Sequence, residues 1–372
     1  MPLKPIRLPL QTKVKGMGFI RTVTDDIDPS MIRGTVLGFT HLEPDWSPLG
    51  DRQSHDHLLM RSNSASEIAE LGPTVDGVSS LARGGVALIV DPTPPGAGRD
   101  PMRLRDLMIA SGVAIVACTG AHAPPVRLAR VEDRSAEYLA EWFAFEISNG
   151  MAAIIGDRFR GLPLLSERAS GIAADGLNDA AVRAGAIRIT LASAQIDRAD
   201  GALIDAAGMT SAATGAATFL DAPSAANVER VASRFEAAGG KRHRLVLAPG
   251  TRPPDEIVDA AALGLAVVLT VPLNRAEGAI AIWDATIRGL RRHGLISQTL
   301  ITTTLEPMLG KTSTLLFDLD TGNRRSELTF PEVRGDFADV DGSEWQAMSV
   351  ANPLRVLAVD AGVPRVNESP LR

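Results

Sequence analysis

The chain has 372 residues, a formal net charge of −6 and a pI near 5.6, with 45% hydrophobic and 22% charged residues. That is an ordinary globular balance for one large α/β domain or two small ones, and its mild acidity without a clustered Lys/Arg footprint argues against nucleic acid as a partner. No apolar run reaches membrane-spanning length and Met1–Gly18 lacks the continuous apolar core of a secretion signal, so no membrane partner and a cytoplasmic location are expected.

In chain order, a first strand is expected around Thr35–Thr40, and the polar, Pro-containing stretch Glu43–Ala65 reads as a long loop after it. The apolar runs Val86–Val90 and Ala114–Cys118 follow as strands, the second holding the single cysteine, Cys118, as a buried residue without a disulfide partner. Next come a helix over Ser135–Asn149, a strand over Ile187–Leu191, a helix over Asp200–Thr214, a strand over Ala217–Leu220 and a helix over Ala225–Ala238. The basic knot Lys241-Arg242-His243-Arg244 reads as a solvated turn. Beyond it lie a strand at Leu245–Leu247, a helix at Pro254–Leu263, a strand at Ala266–Val271, a helix at Gly278–His293 and a strand at Thr299–Thr302. Asp318–Gly342 reads as a loop after the last strand, and Ser343–Val359 as a closing helix.

These strands are continuously apolar rather than alternating, as in a parallel sheet covered on its outer face. Eight strands with helices between them predict a (β/α)₈ TIM barrel, with an open doubly wound sheet as the rival. We expect a lead-in segment over 1–34 and the barrel over 35–372. The long loops after the first and last strands then fall on the face where barrels bind ligands.

Several segments resemble the phosphotriesterase family of the amidohydrolase superfamily. They are Arg21–Leu42 with its Ile27-Asp28-Pro29-Ser30 turn, Gly84–Asp91 followed by Thr93 and Gly96-Ala97-Gly98-Arg99-Asp100-Pro101, and Ser111–Gly120. Tyr138–Gly150 and the tail Trp345–Leu357, with Asn352-Pro353 and Arg355, are similar to that family as well. The resemblance implies hydrolysis of phosphotriesters, lactones or related esters by two bridged divalent cations, which supply a hydroxide near neutral pH. Its ligands are a His-x-His pair on strand one, a carboxylated Lys or a Glu on strand four, one His each on strands five and six, and an Asp on strand eight.

Laid on that pattern, this sequence departs from it. Gly38-Phe39-Thr40 falls at the His-x-His position, or Glu43 and Asp45 in a shifted register that would suit only a hard cation. Arg188 takes the bridging position, and a guanidinium can neither be carboxylated nor bind a metal. Asp221, Pro249, and Thr303 or Thr304 take the remaining positions. His55-Asp56-His57 imitates a His-x-His pair but lacks an apolar strand beside it. The expectation is therefore a barrel with no resident metal and no cofactor.

The residues singled out for chemistry are His41, Glu43 and Asp45 after the first strand, with His41 a candidate acid or base, and Arg188 with Asp221 as a buried pair or an anion clamp. Arg99, Asp100, His122 and Glu306 are candidate ligand contacts, although Arg99 and Asp100 also suit loop fixing. Three functions remain open: a non-catalytic subunit binding a small molecule at the C-terminal face, an altered hydrolase, or metal-independent acid/base chemistry. By resemblance, a homo-oligomer is expected, and an active paralogous subunit is a conceivable partner.

Overall fold

The computed structural model describes residues 18–42, 75–95, 99–124, 127, 129–151, 154–155, 158–159, 182–193, 195–222, 227–250, 252–271, 277–302 and 340–359. Eight parallel strands make one sheet: β1 Thr35–Leu37, β2 Val86–Asp91, β3 Ala114–Ala121, β4 Ala184–Thr190, β5 Ala217–Asp221, β6 Leu245–Leu247, β7 Ala266–Thr270 and β8 Thr299–Thr302. Each pairs with the next in chain order. The sheet curls until its edges meet: Gly38 N–H donates to the Ile301 carbonyl at 3.0 Å, and the hydroxyls of Thr40 and Thr302 lie 2.9 Å apart. That contact sets aside the open-sheet rival and makes this a (β/α)₈ barrel.

The helices between the strands are α1 Val75–Arg83, α2 Pro101–Ser111, α3 Ala136–Ser148, α4 Arg198–Thr214, α5 Val228–Ala237, α6 Pro254–Ala262 and α7 Glu277–Arg292. Their ends follow local chemistry. Asp100 caps α2 by accepting from Arg103 N–H at 3.0 Å, with Pro101 in the first turn. Gly112 ends that helix in the left-handed conformation at φ 73°. Asp197 caps α4 by accepting from Asp200 N–H at 2.7 Å.

Burial sorts the side chains into two layers, as the period of two along a strand requires. Ile187, Ile189, Leu220 and Val267 pack outward beneath Leu203, Ile204, Val231 and Phe235 of the helices. Val36, Leu88, Val90, Val116, Cys118, Ala186, Phe219, Val246, Val268 and Leu300 fill the inside of the ring. Each fully buried aliphatic or aromatic chain of this kind stabilises the fold by ~1.5–3 kcal/mol. Cys118 is buried and free, as expected from its apolar run.

The end of the ring opposite the mouth is sealed by both ends of the described chain. An antiparallel ribbon pairs Ile20–Arg21 with Asp26–Ile27, and Val23 N–H donates to the Ile115 carbonyl at 2.9 Å. Gly185 is required beneath it, because a Cβ there would lie 2.0 Å from the Arg21 carbonyl oxygen. The closing helix runs through Gly342–Gln346, a π-helical segment Ala347–Ala351 and Asn352–Leu357, and Val359 then bridges Phe19.

Two expectations are corrected. Helices α1 and α2 were not foreseen, the latter because its Arg, Asp and Met alternation gives weak amphipathic contrast. The basic knot forms a turn at Arg242–Arg244, but Arg244 is buried and not solvated. Its guanidinium donates to the Val356 carbonyl at 2.8 Å and to that of Ala358, satisfying carbonyls left open at a helix end.

Candidate functional site at the mouth of the barrel

Alternation along β4 turns Ala186, Arg188 and Thr190 inward while Ile187 and Ile189 pack beneath the helices. Arg188 is the bulkiest of the described side chains buried to this degree, with 1% of the residue exposed. Its approach is made possible by Gly120 on β3. At φ 118° a Cβ on Gly120 would lie 1.9 Å from the Arg188 carbonyl oxygen.

A guanidinium inside a barrel must be paired or it costs several kcal/mol, and here each terminal nitrogen has an acceptor. Nη2 donates to Asp221 Oδ2 at 3.4 Å, and Nη1 to the Pro92 carbonyl at 3.1 Å. Nη1 also lies 3.3 Å from His41 Nε2. The plane rests over the Phe39 ring, 5.1 Å from guanidinium carbon to ring centroid. Burial lowers the Arg188 pKa, and the Asp221 carboxylate opposes that shift.

The proton on His41 follows from its neighbours. Thr93 spends its hydroxyl hydrogen on Asp91 Oδ1 at 2.5 Å, and its backbone N–H donates to the same oxygen at 2.9 Å. Thr93 Oγ1 is then an acceptor for His41 Nδ1, 2.9 Å away. That assigns the proton to Nδ1 and leaves Nε2 with a lone pair facing the Arg188 N–H. Burial, then the Arg188 charge, then His122 hold the His41 pKa well below 6.5, so the ring is neutral at physiological pH. Burial pushes the Asp91 carboxyl up to about 6 against the opposing pull of Thr93, Leu42 N–H and Arg188. Five side chains thus form one chain of hydrogen bonds, Asp91–Thr93–His41–Arg188–Asp221.

The sequence-predicted residues divide. His41, Arg188 and Asp221 come together. Phe39 and His41, an i, i+2 pair, meet the guanidinium, one position further along than the expected Gly38-Phe39-Thr40; Gly38 and Thr40 instead face β8. His122 is buried, its Nδ1 3.1 Å from the Ala123 carbonyl, and Arg127 Nε–H donates to the His122 carbonyl at 2.8 Å.

Arg99 is placed elsewhere. It makes a bidentate pair with Glu146 at 2.8 and 2.7 Å, both side chains fully buried, with Thr119 donating to the same carboxylate at 2.6 Å. Asp100 serves the α2 N-terminus. Both are held as loop-fixing groups. Glu43, Asp45, His55, His57, Thr303, Thr304 and Glu306 lie outside the described residues.

Sequence reasoning gave no role to Asp91, Thr93 or Arg252. The usable signal for Asp91 was a carboxylate ending an otherwise apolar strand; Arg252, in a proline-rich turn, carried none. Arg252 is 8% exposed, donates from Nη2 to the Ala222 carbonyl, and has Nη1 3.8 Å from Glu256 Oε2. Burial lowers its pKa, with Asp221 the larger of the two charges that oppose the shift. Among the described residues no group of three or more His, Cys, Asp or Glu side chains is placed to hold a metal ion.

The fold and this mouth define a (β/α)₈ barrel whose interior ends in a buried arginine. The model of the phosphotriesterase family matches residues 20–155, so this part of the barrel is similar to that family. Comparison with curated protein sequences gives no match. Among solved structures, an organophosphorus hydrolase from Deinococcus radiodurans is 16% identical at a TM-score of 0.65, over 93% of this chain and 98% of its own. A phosphotriesterase homology protein from Escherichia coli, solved with phosphate in its active site, is 18% identical at 0.63, over 88% and 99%. An amidohydrolase from Mycoplasma synoviae is 18% identical at 0.68, over 92% and 93%. No helix among the described residues is long and apolar enough to cross a membrane.

Proposed function

We propose that this barrel binds a small-molecule ligand at the C-terminal ends of its strands without the binuclear metal chemistry of its relatives, as a catalytically altered or non-catalytic protein. The observation that carries the reading is the setting of Arg188. Its guanidinium lies between His41 Nε2 and Asp221 Oδ2, atoms of the kind that would otherwise ligate a metal, and engages both. The positive charge that two metal ions would bring is supplied covalently by the chain. Among the described residues, a divalent ion there would face a fixed cation in the bridging position, with Asp221 already engaged by it, so these residues do not fit the cluster.

A second reading is a hydrolase with a modified site. It is favoured by the similar structures, among them an organophosphorus hydrolase, and by the neutral His41 held at the mouth. One experiment separates the two. Protein expressed with added zinc, manganese and cobalt is analysed for bound metal, then assayed against lactones and phosphotriesters with and without Co²⁺. The first reading expects no stoichiometric metal and no Co²⁺-dependent turnover. Near-stoichiometric metal with turnover would overturn it and favour the second.

A further inference from the structure

Around the end of β5, three buried polar atoms from two segments have no hydrogen-bond partner among the described residues. They are Nε of Arg188 on β4, Oγ1 of Thr190 on β4, and Nε of Arg252 after β6. Thr190 stands opposite Asp221 in the strand register, Arg188 bonds Asp221, and Arg252 feels the Asp221 charge while bonding the adjacent Ala222 carbonyl. The residues are 1%, 7% and 8% exposed.

A guanidinium Nε–H is a donor only, fixed in direction by the planar group, and cannot be satisfied by turning towards another donor. Two such donors and a hydroxyl, buried close to one carboxylate, call for acceptor oxygens from outside the chain. The charge balance agrees. Asp221 bonds Arg188 and its charge also acts on Arg252, whose other neighbouring carboxylate, Glu256, stands 3.8 Å off and is 35% exposed on its side chain.

We propose that this corner of the mouth is a receptor for a small oxyanion, the carboxylate or phosphate of a bound ligand, held by Nε–H of Arg188, Nε–H of Arg252 and the Thr190 hydroxyl. Two oxygens on one atom let a single group reach donors from different strands, which the lone carbonyl of a neutral ester cannot do. Asp221 is then the positioning residue, fixing the arginines from the other side. This deepens the reading of a metal-free mouth and rests on it.

The test uses the full chain with inorganic phosphate and with acetate as probes, titrated by calorimetry at constant ionic strength against chloride, after metal analysis and chelator treatment. Saturable binding of either probe beyond chloride is expected; acetate alone points to carboxylate ligands and phosphate alone to phosphorylated ones. Arg252→Gln and the near-isosteric Thr190→Val each weaken that binding, Arg252→Gln by roughly tenfold or more, the loss of one charge-assisted hydrogen bond. Arg252→Lys keeps the charge without an Nε–H and fails to restore it.

No saturable binding, or affinity unchanged in both Arg252→Gln and Thr190→Val, overturns the proposal. So does full affinity in Arg252→Lys, which would reduce the effect to diffuse attraction. If metal is present and the chelator abolishes probe binding, the anion belongs to the metal and both readings fall. If metal is present but binding survives chelation and still depends on Arg252, only the metal-free reading falls.

Discussion

Arg188 and Asp221 face one another from neighbouring strands, Nη2 to Oδ2 3.4 Å apart, with 2% and 8% of their side chains exposed. The pair is not symmetric. Arg188 loses its carboxylate if Asp221 is removed, whereas Asp221 keeps a second cation nearby in Arg252 if Arg188 is removed. Breaking a buried pair by leaving one charge uncompensated costs about 3–5 kcal/mol, more than replacing the buried charge by an apolar chain of similar volume. Asp221→Ala is therefore expected to lower stability by about 3–5 kcal/mol, and Arg188→Met by clearly less. Urea denaturation of both variants checks this; equal or inverted losses refute the asymmetry.

The hydrogen-bond chain fixes the state of His41. Nitrogen NMR of the imidazole is expected to report a neutral ring protonated on Nδ1, with no titration near 6.5. Thr93→Val removes the acceptor that selects this tautomer, so the Nδ1 signal should shift while the barrel stays folded. A ring that titrates normally in the native protein would contradict the arrangement.

Asp91 and His41 oppose each other in pH dependence. The carboxyl of Asp91 is raised from 3.8 to about 6, so its folding penalty is absent below 3.8, grows with rising pH and is complete above about 6. The imidazole of His41 is lowered, so its contribution is complete above 6.5 and is lost as pH falls. Asp91→Asn removes only the first effect. It should stabilise the protein at pH 7.5 by up to about 3 kcal/mol, at ~1.4 kcal/mol per pKa unit, and bring little gain at pH 4. An equal effect at both pH values would show that Asp91 is not desolvated.

Glu146 is expected to be indispensable to folding and not to chemistry. Glu146→Gln breaks the bidentate pair with Arg99 and leaves a buried guanidinium facing a neutral amide, a loss of about 3–5 kcal/mol. Glu146→Gln made together with Arg99→Met should recover part of it. Thermal unfolding of the single and double variants provides the measurement, and a double variant worse than the single would argue against a simple ion pair.

Gly120 carries the close approach of β3 to β4. Gly120→Ala combines a disfavoured positive φ with a Cβ driven into the Arg188 carbonyl, and should cost about 3 kcal/mol or more while displacing Arg188. Soluble yield and the melting midpoint report it; a neutral substitution would mean the strands can separate without penalty.

The barrel was legible because its signal is local. Seven of the strand runs are apolar enough to stand out, and all seven helices named between the strands begin or end within a few residues of a Gly or Pro. Strand ends were read short, since Asp91, Thr119, Gly120 and Asp221 break the apolar pattern while still pairing in the sheet. Those polar ends are where the site is built. Arg188 and Asp221 could be found because a charge inside an apolar strand demands a partner. Arg252 and Thr93 lie in irregular segments, where no periodicity marks which side chain turns inward. The roles of Arg99 and Glu146 needed the third dimension, since 47 residues separate them.

The Phe19–Val359 bridge joins the two ends of the described chain beneath the ring. A protein emerging vectorially from the ribosome lacks its last staves and this bridge until the segment through Val359 has been made. Such long-range closure delays the final step of assembly, and until then the strand edges at Gly38 and Ile301 stay open to pairing with other chains. Late closure is the cost of building the seal from opposite ends.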